Sequence, residues 1–75
     1  MELEEKVLKK IGAKIKKLRI AAGYKSYESF AIANDLSRMH YWRMEKGELN
    51  ITIKTLLKIL KIHKITIEKF FSDLG

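Results

Sequence analysis

Between Ser26 and Gly47 the sequence reads SYESFAIANDLSRMHYWRMEKG, and its second half gathers side chains suited to recognising a surface. The Ser37 hydroxyl suits a helix N-cap and Gly47 the left-handed position just past a helix, leaving room for about two and a half turns. At ~100° per residue, Tyr41 and Met44 point one way with Glu45 at the edge. Met39, Trp42, Arg43 and Lys46 point the other way, and Arg38 sits at the amino-terminal rim. Arginine brings a planar fork of donors, lysine a mobile charge, methionine and tryptophan an apolar contact. A helix that turns these outward is built to touch something. The net charge of +7 makes that partner an anion, with DNA first among the candidates, although charge alone also fits a merely soluble basic protein.

Four further helices are predicted to position this face. The first runs from Glu2 to Ala22, with Val7, Leu8, Ile11, Ile15, Leu18 and Ala22 in one apolar stripe and Gly23 as its end. Its six lysines (6, 9, 10, 14, 16 and 17) lie outside the stripe, most of them as a solvated face, with Lys16 and Lys17 nearest the reading side. Glu2, Glu4 and Glu5 stand where the helix dipole favours anions. Ser26 caps a second helix that turns Phe30, Ala31 and Tyr27 inward, and Asn34 and Asp35 mark its end. After a loop from Glu48 to Ile51, Thr52 caps a fourth helix with Ile53, Leu56, Leu57 and Leu60 inward. Thr66 caps a fifth with Ile67, Phe70, Phe71 and Leu74 inward. The fold class is therefore all-α, a compact five-helix bundle forming one domain over residues 1–75.

Composition narrows the function. Cysteine is absent, which removes disulfides and thiolate metal sites, and neither histidine has a second ligand at useful spacing, so no metal or cofactor is expected. There is no glycine-rich phosphate loop, no nucleophile beside a base and no pair of carboxylates facing a cleft, so an enzyme is not expected. No stretch approaches the ~20 apolar residues of a spanning helix, and MELEEK lacks the order of a secretory signal. The expected location is the cytoplasm, on the nucleoid. The cationic first helix could rest on an anionic membrane, but a domain this small needs its apolar stripe for the core.

The residues LR–xxxG–Y, then FA–xxx–DLSR–xxx–WRMEKG, then TLLKILKIHKITIEKFF, resemble the helix-turn-helix domain of phage repressor and Cro proteins and of the xenobiotic-response-element class of bacterial regulators. The likeness runs from about Ile11 to Phe71, with the motif at about residues 26–47. Three departures stand out. The segment from Gly23 to Ala31 is one residue longer than the common form, Tyr27 stands where many members carry glutamine, and Asp35 occupies the usual glycine of the turn.

The resemblance implies that the third helix enters the major groove with its first residues nearest the base edges. Arg38, Met39, Trp42 and Arg43 then become the base readers. An arginine can bond guanine O6 and N7 together, Met39 can lie on a thymine methyl, and Trp42 can pack on sugar and methyl groups or instead cover the joint between helices. Backbone contacts fall to Ser26 and Tyr27 at the start of the second helix, to Lys46, Asn50 and Lys54 around the far end of the third, and to His40 on its flank. Arg19 and Glu45 take family positions that pair as a structural ion pair joining the first and third helices. Ile59 and Ile62, off the inward stripe, and Ile65 after them are surplus apolar residues that suggest a self-association surface. His63 joins them where relatives carry an apolar residue. Relatives commonly form two-fold dimers here, which implies an inverted-repeat site with half-sites about 34 Å apart.

The reading is a sequence-specific, homodimeric regulator that binds double-stranded DNA. Two alternatives stand beside it. One is an antitoxin or adaptor whose main partner is another protein, with operator binding secondary; the other is a nucleic-acid binder that uses charge without readout.

Overall fold

The computed structural model describes residues 2–74, and among them the chain forms five helices and no strand. These are α1 (Glu2–Ala21), α2 (Tyr27–Ala33), α3 (Arg38–Lys46), α4 (Ile53–Ile62) and α5 (Ile67–Ser72). None of them is long and apolar enough to cross a membrane. The four later helices start on a hydroxyl cap, which satisfies an otherwise orphaned N–H. Ser26 Oγ accepts from the Ser29 N–H at 3.0 Å, Ser37 Oγ from His40 at 3.4 Å, Thr52 Oγ1 from Thr55 at 3.2 Å and Thr66 Oγ1 from Lys69 at 3.1 Å.

The first four helices also share one way of stopping. A residue turns into the left-handed region, and the next N–H reaches back to the carbonyl five residues earlier. At α1 the left-handed residue is Gly23, with Tyr24 N–H on the Arg19 carbonyl at 3.2 Å. At α2 it is Asp35 (φ 56°), with Leu36 on Ala31 at 2.8 Å. At α3 it is Gly47 (φ 72°), with Glu48 on Arg43 at 2.9 Å. At α4 it is Lys64 (φ 56°), with Ile65 on Leu60 at 3.1 Å. Asp35 thus adopts the turn that glycine more commonly makes, and the helix-turn-helix corner closes normally around it.

The core is built from Ile11 and Ile15 of α1, Phe30 and Ala31 of α2, Tyr41 and Met44 of α3, Leu56, Ile59 and Leu60 of α4, and Phe70 of α5. Phe30 is its hub, with ring centres at 5.0 Å to Tyr41, 5.2 Å to Tyr24 and 5.1 Å to His63, the last a parallel stack. Gly12 lets α1 lie directly on the end of α3. A Cβ there would stand 2.6 Å from the Glu45 carbonyl oxygen and closer still to that of Met44.

The fourth helix departs from the sequence reading. Ile59, expected on a self-association surface, is fully buried, whereas Ile53 and Leu57, expected inward, are 62% and 46% exposed. The physical reason lies in the lysines. Lys54, Lys58 and Lys61 fall within a ~60° arc, and the centre of the opposite side carries Leu56, Ile59, Leu60 and His63. With apolar residues almost all round this helix, only its charges mark which side faces water. Three other inward expectations also fail: Val7 overhangs the core on the first turns of α1, Ala22 is exposed just past the end of that helix, and Phe71 is exposed beside buried Phe70.

Candidate nucleic-acid interface

Helix α3 is divided cleanly by burial. Tyr41 and Met44 are buried, Trp42 and Glu45 are half-buried, and Arg38, Met39, His40, Arg43 and Lys46 are exposed, Met39 at 63%. Arginine and methionine held outward on a helix whose back is locked in the core form a preorganised contact surface. The amino-terminal end of α2 stands on one side of it, where Tyr27, Glu28, Ser37, Arg38 and Met39 line a common recess. On the other side His40 meets the loop into α4, in a depression it shares with Asn50, Thr52 and Lys58. Ser26, Tyr27, His40 and Asn50 therefore flank the face from both sides. Lys54 is exposed on the first turn of α4, and Lys46 on the last turn of α3.

Sequence reasoning missed Lys58, although it lies four residues beyond Lys54 on the same face of α4. Lys17, by contrast, turns toward Asp73 and Leu74 rather than toward the reading face, whereas Lys16 lies beside Trp42 and Lys46. Trp42 is not free on the surface. Its ring centre lies 6.0 Å from that of Tyr27, and the Lys46 ammonium stands 5.3 Å from its ring, so the indole also bridges α2 and α3.

The orientation of the face is fixed from behind. Arg19 Nε donates to Glu45 Oε2 at 2.7 Å and Nη2 to Oε1 at 3.2 Å, while Nη1 donates to the Tyr24 carbonyl at 2.9 Å. Both side chains are nearly buried, at 6% and 7% exposure. This fork ties α1, the α1–α2 turn and α3 together in one contact. The hydrogen bonds it donates to the Glu45 carboxylate hold the Arg19 guanidinium above even its ordinary value, so its charge is permanent. Burial pushes the Tyr41 phenol upward, with the Glu45 carboxylate adding to the effect, and its Oη has no hydrogen-bond partner. Burial pushes His63 in the opposite sense, lowering its pKa; its Nε2 is buried without a partner as the ring stacks on Phe30. The expected self-association residues are thus divided. Ile59 is in the core, and Ile62, His63 and Ile65 are half-buried against it.

Known proteins share this fold. The chain is 40% identical over 65 residues to the control protein C.MunI of a Mycoplasma species, covering 87% of this chain and 88% of that one. It superposes on the crystal structure of the restriction-modification controller protein C.AhdI from Aeromonas hydrophila with a TM-score of 0.74 at 30% identity, covering 85% of this chain and 96% of that one. A tyrosine-to-phenylalanine mutant of the restriction-modification controller protein C.Esp1396I matches with a TM-score of 0.75 at 33% identity, over 89% and 84% of the two chains. No protein-family profile matches the chain. Identity of 40% to a control protein and a fold shared with two controller proteins, in each case over most of both chains, make this helix-turn-helix chain a member of the restriction-modification controller proteins, small DNA-binding transcriptional regulators of the Cro and repressor type.

Proposed function

We propose that this chain acts as a homodimer on an inverted-repeat operator of a restriction-modification system, with α3 in the major groove. The carrying observation is the outward set Arg38, Met39 and Arg43 on a helix whose other side is core. Arg38 and Arg43 are the guanine readers and Met39 the thymine-methyl contact. Ser26, Tyr27, His40, Lys46, Asn50 and Lys54 meet phosphates on the two sides, joined by Lys58. These contacts set register and add affinity without carrying sequence information.

With Ile59 in the core, the second copy seats on the apolar residues that remain exposed. Ile53 and Leu57 of α4 and Phe71 of α5 supply this surface. Two recognition helices related by a two-fold axis then meet successive major grooves about one helical turn apart.

The test is selection of bound sequences from a random duplex pool at about 150 mM salt, where non-specific affinity is already weak. Enrichment of an inverted repeat with half-sites near one helical turn is the expected outcome. Enrichment of a single half-site refutes the dimer, and no enrichment at all refutes the readers.

A further inference from the structure

On the edge of α3 that faces α1 and α2, a recess of about 260 Å³ is lined by Lys16, Arg19, Tyr27, Trp42, Glu45 and Lys46. Its charges do not cancel. Arg19 and Glu45 neutralise one another through their short ion pair, whereas neither Lys16 nor Lys46 has a salt-bridge partner among the described residues. What remains is a pair of ammonium groups from two different helices, a phenol at the rim and an indole against which one of the ammonium groups rests. The recess has room for a single tetrahedral anion with bridging waters. The neighbouring recess at the start of α3 carries the Glu28 carboxylate instead, which repels an anion. The apolar groove between α1 and α4, lined by Leu3, Val7, Leu8, Ile53 and Phe71, has no cationic rim.

We propose that the Lys16–Lys46 recess seats one phosphate of the DNA backbone, and that Trp42 is a positioning residue for it rather than a base reader. Lys16 and Lys46 supply the charge and the Tyr27 hydroxyl donates a hydrogen bond. Trp42 holds the Lys46 ammonium at the rim by cation–π attraction while its contact with Tyr27 keeps the start of α2 in register with α3. A lysine on a four-carbon stem is otherwise free to wander, so this restraint turns a mobile charge into a placed one. The assignment brings α1 into the interface through Lys16. It rests on the DNA-binding reading above.

The experiment measures the affinity of the full chain for a labelled duplex recovered from the random pool and for a scrambled duplex, from about 50 to 200 mM salt. Lys16→Ala and Lys46→Ala should each weaken binding to both duplexes alike and flatten the salt slope by about 0.9, shrinking the salt dependence over that range roughly 3.5-fold. Trp42→Leu should weaken binding to both duplexes alike, and Lys46→Ala should cost less in the Trp42→Leu background than in wild type. Trp42→Phe, which keeps an aromatic face, should fall between wild type and Trp42→Leu, and guards against a fold defect. Unchanged affinity and slope in Lys16→Ala would overturn the recess. Relaxed selection at one base pair in Trp42→Leu or Trp42→Phe would restore the tryptophan as a reader. A wild type that enriches no sequence, yet loses salt slope in Lys16→Ala, would sink the proposed readers and support the phosphate seat.

Discussion

Removing Glu45 should cost this protein a large share of its stability. Glu45→Ala leaves Arg19 charged, 6% exposed and holding only its bond to the Tyr24 carbonyl, since both carboxylate contacts, at 2.7 and 3.2 Å, are gone. Breaking one side of a buried pair costs about 3–5 kcal/mol because the surviving charge stays desolvated. A chain of 75 residues has on the order of 4–11 kcal/mol in total, at ~0.05–0.15 kcal/mol per residue. The variant should therefore unfold at least about 12 °C lower, at roughly 4–8 °C per kcal/mol for a domain of this size. Urea unfolding followed by circular dichroism measures the loss, at one fixed protein concentration because self-association adds to apparent stability. The companion is Arg19→Met combined with Glu45→Leu, which removes both charges and fills the space with apolar groups. That double variant should be more stable than Glu45→Ala alone. A loss under about 1 kcal/mol in Glu45→Ala would mean the pair behaves as a solvated one and would refute the burial argument.

The remaining expectations concern the scaffold, the pH response and the reading face. Gly12→Ala should cost about 1–3 kcal/mol or more, because the atoms its Cβ would meet are backbone oxygens of α3 that cannot rotate away; a neutral result in the same urea assay would show α1 able to slide. Lys64→Gly should stabilise by about 0.5–1 kcal/mol, since the residue sits at φ 56° where a Cβ is strained, and a loss would reveal an unrecognised role for the side chain. His63 is held below its ordinary value of 6.5, so the unfolded chain takes up a proton there before the folded one does. Stability should be unaffected by this group above about pH 6.5 and decline as the pH falls below it, a decline absent from His63→Phe when the two unfolding curves are compared. Arg43→Ala should relax selection at one base position and cost about 1–3 kcal/mol there, whereas equal loss on every sequence would make Arg43 a phosphate contact.

Local chemistry made much of this fold legible. Ser26, Ser37, Thr52 and Thr66 each cap the helix they precede, because a hydroxyl beside an orphaned N–H is a sequence-local event. Gly47 takes the left-handed position for an equally local reason. The outward side of α3 is also readable, since Tyr41 and Met44 fall together on one side while the charges of Arg38, Arg43 and Lys46 lie away from it. The short α4 was harder. Six of its ten residues are apolar, so several stripes fit the sequence almost equally well, including one that leaves Ile59 outside the core and turns Ile53 and Leu57 inward. Other features depend on contacts between distant segments. The closeness of Gly12 to α3, the stacking of His63 on Phe30 and the gathering of Lys16 with Lys46 join residues 30 or more positions apart, and no periodicity records them. An isolated glycine inside an otherwise regular helix is the one hint that Gly12 offers in advance.

The division of α3 by burial separates what must stay constant from what is free to vary. Tyr41, Met44 and Glu45 hold the helix to α1 and α2, while Arg38, Met39 and Arg43 contribute little to the core. On the proposed reading, exchanging the outward residues changes which bases are met at almost no cost to folding, because surface substitutions usually stay within about 0.5 kcal/mol. A population of such proteins can therefore drift apart in target preference while their shared skeleton remains intact. Two regulators living in one cell need only a few changes on this face to ignore each other's sites.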